Sequence, residues 1–517
     1  MTDALPPDEI DRRTARVPRR RRRRFVAVAC VAVALAVVFR PASHVATTIA
    51  HDVDERVPPP PGFVDDASRL ERTRVFEVVP VAEDAAAAEA QLVELVRRAA
   101  RDGLVVSVAG ARHSMGGHTI AEDGIVVDMR PLRTMELDVE RQVLRVGAGA
   151  IWHDVIRFLD PHGLSPAVMQ SNDSFTVGGS VSVNCHGWQH GRPPIASTVR
   201  SLRVLLADGR VVRASRDEEP ELFSLVLGGY GLFGIVLEAE LDVVRNERYR
   251  LERRVVRAGE ALGAYDEMLA QHPDTQMAFA RMNVERRRFL DDVVLYLFHP
   301  EPAEDGSVPE LADPSFVELR RAVLRGSVGS EYGKRLRWEA ETEVQPLLQS
   351  GVFSRNQLLD EGVETFENRT AATTDVLHEY FVPRAGADAF VARVRELVQG
   401  EGSGGDDAPD LLNVTVRSVE RDDTTFLRYA DGPMLSFVML FVQERTDAAE
   451  TAMRDLTREL VDAALEQGGR HYLPYRLHAT REQFERAYPT APAFFAAKRR
   501  WDPDGVFGNA FLDAYGR

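Results

Sequence analysis

Cysteine is nearly absent from this chain. Its 517 residues hold two, Cys30 and Cys185, and Cys30 lies within an apolar N-terminal run, so a disulfide framework is excluded. An extracytoplasmic home is not excluded, because a chain of this size buries a large core without disulfides. Excess positive charge is also missing. The net charge of -16 argues against nucleic acid as a partner, since phosphate binding needs a basic surface. A full-length membrane span is missing too. The N-terminal apolar run from Phe25 to Phe39 covers roughly 22 Å at about 1.5 Å per residue, short of the roughly 30 Å hydrocarbon core. What remains is ordinary for a globular protein of two or three domains, with 44% hydrophobic and 28% charged residues.

Six arginines, Arg19 to Arg24, precede the apolar run, and Arg40-Pro41 ends it. One reading is a short membrane anchor with the arginines inside and the body of the protein outside. Another is a cleaved export signal with a basic n-region and an apolar h-region. Arg22-Arg23-Arg24-Phe25-Val26 also resembles a twin-arginine signal, which suits a protein exported with its cofactor bound. A soluble cytoplasmic protein is the third reading. The anchor is preferred, so residues 1–45 are expected to be a basic N-terminus with a short apolar helix at the cell membrane. Residues 46–71 are assigned to a proline-rich tether, disordered or extended from Ala42 to Phe63 and stiff at Pro58 to Pro61.

The densest signal is Val105 to Gly117, Val-Val-Ser-Val-Ala-Gly-Ala-Arg-His-Ser-Met-Gly-Gly. Val105, Val106 and Val108 favour a buried strand. Gly110, Gly116 and Gly117 then allow positive φ and close backbone approach. Such a loop aims several N–H groups at one point, an anion site, with Arg112, His113 and Ser114 between the glycines. A plain surface turn after a strand is the alternative. Around it, Arg74 to Pro80 reads as a strand and Glu83 to Arg101 as a helix with Leu92, Leu95, Val96 and Ala99 on one face. Ile125 to Asp128 and Val143 to Val146 read as strands, and Trp152 to Leu159 as a helix after Gly147-Ala148-Gly149. This layout fits an α+β or α/β cofactor domain.

Two further stretches are rich in glycine. Ser171 to Gly191 combines glycines, hydroxyls and histidines with little to fill a core, a composition that is costly unless exposed or satisfied by a ligand. Gly228 to Val236 joins four glycines to an apolar strand. Ala-Gly-Ala-Arg-His-Ser-Met-Gly-Gly, Thr-Val-Gly-Gly-Ser-Val-Ser-Val-Asn-Cys-His-Gly and Gly-Gly-Tyr-Gly-Leu-Phe-Gly-Ile-Val, in that order and spacing, resemble the FAD domain of the vanillyl-alcohol oxidase (PCMH-type) flavoprotein family. Aldonolactone oxidases, alditol oxidases, cytokinin dehydrogenases and decaprenylphosphoryl-ribose oxidase belong to that family. The resemblance implies an α+β fold: an FAD-binding domain over 72–245, a substrate or cap domain with an antiparallel sheet and flanking helices over 246–480, and a C-terminal return over 481–517.

By that resemblance, Ala109, Gly110, Ala111, Arg112, His113, Ser114, Met115, Gly116 and Gly117 wrap the FAD diphosphate. Asp173, Thr176, Gly178, Gly179, Ser182, His186 and Gly187 line the flavin and ribityl chain, and Ile235 meets the adenine end through its backbone. His113 stands where many members carry a histidine bonded covalently to the flavin, whereas members lacking it bind FAD noncovalently. Cys185 does not align with the cysteine of doubly linked members, so a single link is expected. A metal pair of His186 and His190 is disfavoured because Gly187 lies between them.

Beyond 246 no catalytic motif stands out. Arg250 to Arg257, Val293 to Phe298, Asn413 to Val419 and Met434 to Val442 read as strands; Glu260 to Gln271, Ala387 to Val398 and Arg481 to Tyr488 read as helices. Gly400 to Pro409 reads as an exposed polar loop. Tyr475 and Arg476, just before the C-terminal return, are the catalytic candidates, with Tyr380 and Arg417 as second choices. The expected activity is oxidation of a CH–OH group of a sugar, alditol or aldonolactone by hydride transfer to flavin, with oxygen or a membrane electron acceptor as oxidant. A membrane-anchored dehydrogenase for a lipid-linked sugar or an amine, and a noncatalytic flavin-binding protein, are the alternatives.

Overall fold

The computed structural model describes residues 38–348, 351–400 and 409–517. The arginine run, the apolar segment as far as Val37 and most of the 400–409 loop therefore lie outside the described residues, as does the expected N-terminal apolar helix. Among the described residues, no helix is long and apolar enough to cross a membrane.

The fold mixes helices and sheets. Helix Ala85–Asp102 forms because Leu92, Leu95, Val96 and Ala99 fall on one face and are buried. Asp84 caps its start by accepting from the Ala87 N–H, and Gly103 ends it in a left-handed conformation at φ 68°. Its apolar face shares a core with Val106, Ile125 and Val127. Those residues belong to a three-stranded parallel sheet ordered Glu77–Pro80, Ile125–Asp128, Val106–Ala109. An antiparallel six-stranded sheet follows, centred on Ile235–Arg245, which pairs with Val143–Gly147 and Val199–Leu205.

The second sheet system has eight antiparallel strands. Its centre is Met277–Met282, Asp410–Val419, Met434–Glu444 and Thr373–Pro383, side by side in that order. Strand alternation divides its residues between two faces. Val376, Tyr380, Phe437, Met439 and Phe441 share a core with helices Ala387–Gln399 and Asp447–Glu466. The opposite face carries Asp375, Leu377, Glu379, Thr415, Arg417 and Val438. It is the floor of a cavity.

The C-terminal segment lies back on the first sheet. Val106 donates to the Val506 carbonyl at 2.7 Å, and Gly508 donates to the Val106 carbonyl at 3.1 Å. Asn509 donates through Nδ2 to the carbonyls of His118 and Tyr230, both at 2.8 Å, and so ties two glycine-rich stretches together.

The tether departs from expectation. Arg40–His51 is a helix, not extended chain, and Pro41 starts it from the first turn, where its missing N–H costs nothing. The helix buries no residue of its own, so no apolar stripe announced it. Polar contacts hold it: His44 Nε2 lies 2.8 Å from the Gly326 carbonyl, and Asp52, just past its end, meets Arg321 at 2.7 Å. Further on, Val64 and Asp66 are buried. Helix Asp447–Glu466 and strand Met277–Met282 are likewise elements the sequence reading did not assign.

Arg321 is almost fully buried and pairs with Asp52 and Glu318. Replacing Arg321 by Leu is expected to cost about 2–4 kcal/mol, since it leaves Asp52 without its cation. Thermal unfolding should show the loss, and limited proteolysis should cut near Asp52 first.

Candidate functional site

A cavity of about 720 Å³ lies between the glycine-rich loops and the floor of the eight-stranded sheet. Gly110, Ala111, Arg112, His113, Ser114 and Met115 line it, as do Thr176, Gly178, Gly179, Ser182 and His186. Gly231, Gly234 and Val236 close one end, flanking Ile235, whose side chain is buried in the core.

The loop is built for close approach. A Cβ on Gly110 would overlap the Thr176 hydroxyl, and one on Gly178 would come within 2.8 Å of the Ala148 side chain. Arg112 takes a left-handed conformation at φ 58°, rare for a residue with a side chain, and Gly117 follows at φ 66°. Several buried polar atoms here have no protein partner: Arg112 Nε and Nη2, Ser114 Oγ and Thr119 Oγ1. Buried donors left open around a glycine cradle fit the diphosphate and ribityl oxygens of a flavin dinucleotide. His113 stacks on Phe175 at 4.3 Å, and its Nε2 lies 3.3 Å from the Ser174 carbonyl. Burial pushes its pKa down, so the ring is neutral. With Nε2 as donor, the lone pair sits on Nδ1, which is the nucleophilic nitrogen.

Several expected contacts lie elsewhere. Ala109 ends its strand in the core, Gly116 packs against the Tyr475 carbonyl, and the Gly117 N–H donates to buried Asp66 at 2.9 Å. Gly187 packs on the Met169 carbonyl. Asp173 does not line the cavity. Its carboxylate and that of Asp360 each lie 3.0 Å from His153 Nδ1. Arg157 donates to His153 Nε2 at 2.8 Å and reaches Asp360 at 3.1 Å. The imidazole lone pair is thus taken by a guanidinium. His186 and His190 have separate partners: His190 Nδ1 meets Ser418 and Tyr265, whereas His186 turns into the cavity.

The floor supplies the reactive groups. Glu379 is fully buried, with its Oε1 held by His186 Nε2 and by the Ser436 hydroxyl at 2.5 Å. The Tyr475 hydroxyl donates to Oε2 at 3.2 Å. Burial works against charge on Glu379, but His186, Arg417 and Ser436 outweigh it and hold its pKa below the usual glutamate range. Burial and the facing Glu379 carboxylate push Tyr475 well above its ordinary value, so it stays protonated. Arg417 donates to Ser171 at 2.8 Å, and its buried Nε is without a partner.

Of the catalytic candidates, Tyr475 and Arg417 are in the cavity and Arg476 and Tyr380 are not. Arg476 turns away to Glu71 and, at 2.5 Å, to Glu450, which also meets His478 at 2.8 Å. It fixes the backbone beside Tyr475. Tyr380 belongs to the helix-packed face and bonds to His378 at 3.2 Å. Glu379 was missed, although a carboxylate inside Val376-Leu377-His378-Glu379-Tyr380-Phe381-Val382 is itself a signal, since such strands rarely bury a charge without purpose.

Comparisons with known proteins divide along the chain. A model described as an FAD binding domain matches residues 82–215, and a D-arabinono-1,4-lactone oxidase model matches residues 335–515. Cytokinin dehydrogenase 6 of Oryza sativa subsp. japonica is 32% identical over 252 residues, covering 41% of this chain and 47% of the relative. Cytokinin dehydrogenase 1 of Arabidopsis thaliana is 31% identical over 155 residues, covering 29% of this chain and 27% of the relative. An uncharacterized oxidoreductase from the fasciation locus of Rhodococcoides fascians is 28% identical over 246 residues, covering 46% and 55%. The chain therefore spans between about a quarter and about half of the length of these curated relatives.

Gly110→Ala places a methyl group on Thr176, which also caps helix Val177–Ser182. Purified G110A protein is expected to lose most of its flavin, read as the ratio of visible to ultraviolet absorbance, with a stability cost of about 1–3 kcal/mol from overpacking.

Proposed function

We propose, for a chain that belongs to the FAD-linked oxidoreductases of the vanillyl-alcohol oxidase (PCMH-type) family, oxidation of a CH–OH group in a sugar, alditol or aldonolactone. The observation that carries this reading is the buried Glu379 carboxylate on the cavity floor, with one oxygen open to a donor from the cavity. Bound FAD supplies the acceptor for the hydride. Glu379 takes the substrate hydroxyl proton at Oε2, while His186 and Ser436 keep Oε1 fixed and the carboxyl ionised. Tyr475, protonated throughout, aligns Oε2 and bounds the substrate position. Arg417 offers its open Nε–H to a substrate oxygen. The D-arabinono-1,4-lactone oxidase match supports a sugar-type substrate, because it covers Glu379, Arg417, Ser436 and Tyr475.

The cytokinin dehydrogenase relatives favour a second reading, oxidation of an amine, in which Glu379 would take an N–H proton. Anaerobic reduction by an alditol and a lactone, but not by a cytokinin, separates the two. Oxygen or a membrane acceptor reoxidises the flavin. Arg19 to Arg24 and the apolar run after them support placing the body outside the cell membrane, anchored or released from a cleaved signal. The mass of the mature N-terminus distinguishes those two.

Glu379→Gln is expected to lower the rate of flavin reduction about 10²–10³-fold with flavin content retained, and Tyr475→Phe to lower it less. An unchanged rate in the Gln variant would remove Glu379 as the base. The acid limb of kcat/KM is expected below pH 4.5, the ordinary glutamate value, because the folded protein depresses this pKa and the base is lost only as pH falls through the depressed value. Acid precipitation tests the flavin link: yellow should stay in the wild-type pellet and leave it in His113→Ala.

A further inference from the structure

The cavity floor is polarised along one row of the sheet. Register places Arg281 opposite Thr415, Thr415 opposite Val438, and Val438 opposite Glu379. Three strand spacings, roughly 14 Å at about 4.8 Å each, separate the backbone of the base from that of a cation. Between them that row carries Thr415 and Val438, with Leu377 and Leu440 on one side and Arg417 on the other.

The far end is rich in donors. Arg281 Nη1 and Arg337 Nη2 converge on a single amide oxygen, Asn413 Oδ1, at 3.3 and 2.6 Å. Arg281 and Arg337 share one carboxylate partner in their surroundings, Glu341, which lies 3.1 Å from Arg281 Nε and also accepts from Tyr296 at 2.7 Å. Burial, reinforced by Arg281, brings the Arg337 pKa down to about 10. Two guanidiniums thus face one carboxylate. Trp188 stacks at 4.7 Å on Phe279, and the Arg281 guanidinium lies 5.9 Å from the centroid of the same ring. Its indole N–H is buried and has no protein partner, and Trp188, Arg281 and Asn413 all line the cavity. One indole N–H without an acceptor, beside two guanidiniums that share one carboxylate, calls for an oxyanion.

We infer that Arg281, Asn413 and Trp188 form a subsite for an anionic group, and that the substrate is a polyhydroxy acid whose carbinol lies at Glu379 and whose carboxylate or phosphate lies at Arg281. This rests on the alcohol-oxidising reading above and narrows its substrate class. The long axis of the floor sets the distance between the two ends. A neutral polyol could accept from these donors through its hydroxyl oxygens but would leave the excess positive charge unbalanced, and an extended apolar tail would bury against them at a cost.

The test measures binding, not turnover. The flavin-loaded protein is titrated by calorimetry with D-gluconate, D-glucitol 6-phosphate and D-glucitol, which share a six-carbon chain. The acids are expected to bind at least about tenfold more tightly than glucitol, and Arg281→Met to reduce that ratio to about one while flavin content is unchanged. Arg281→Lys should restore part of it. Equal affinities in the wild type, or a ratio that survives Arg281→Met, overturns the subsite. Should Arg281→Met fail to fold, the wild-type ratio and its collapse at high salt decide. A colourless protein would sink the flavoenzyme reading and leave the anion preference measurable; a yellow protein without the preference would sink only the subsite.

Discussion

A buried hydrogen bond between His186 and Glu379 joins the glycine-rich loops to the sheet beneath them. His186 comes from the glycine-rich stretch above the cavity and Glu379 from the sheet below it. The buried Glu379 carboxylate would be costly without such donors, since a buried charge needs hydrogen-bonding partners. Their meeting helps keep Glu379 ionised and leaves its second oxygen to Tyr475. Asn509 holds two of the loops in place from the C-terminal side, and the Arg476–Glu450–His478 network holds the backbone beside Tyr475.

The chemistry follows from the division of labour between loop and sheet. The loops bring glycines where side chains would collide, and they leave buried donors open. The sheet brings rigidity, so that the Glu379 carboxylate and the Arg281 guanidinium stand on one strand row at a distance set by strand spacing. Rigid elements hold reactive groups more precisely than loops can. That explains why the reactive carboxylate is on a strand while the cofactor cradle is on turns.

Much of the first half was legible in the sequence, because its signals are local. Glycine spacing marks a backbone conformation wherever the chain goes, and the stripe of Leu92, Leu95, Val96 and Ala99 states its own burial. The site in the second half depends on contacts across hundreds of positions, such as His186 with Glu379 and Arg417 with Ser171. No local pattern encodes them. Tyr380 and Glu379 are neighbours, yet strand alternation sends one to the helices and the other to the cavity, and only the sheet's packing tells which. Arg476 looked catalytic by position, but acidic partners draw it away. The N-terminal helix was hidden for the opposite reason: polar contacts hold it, and hydrophobic periodicity cannot report those.

In the proposed reaction, one cavity holds both a flavin and the base that deprotonates an alcohol. The most direct measurement is the visible spectrum of the purified protein before and after anaerobic addition of a sugar lactone, an aldonate and an alditol. The account expects a yellow protein whose band bleaches with at least one of these CH–OH donors. A colourless protein, or a flavin band that none of the three disturbs, would contradict it.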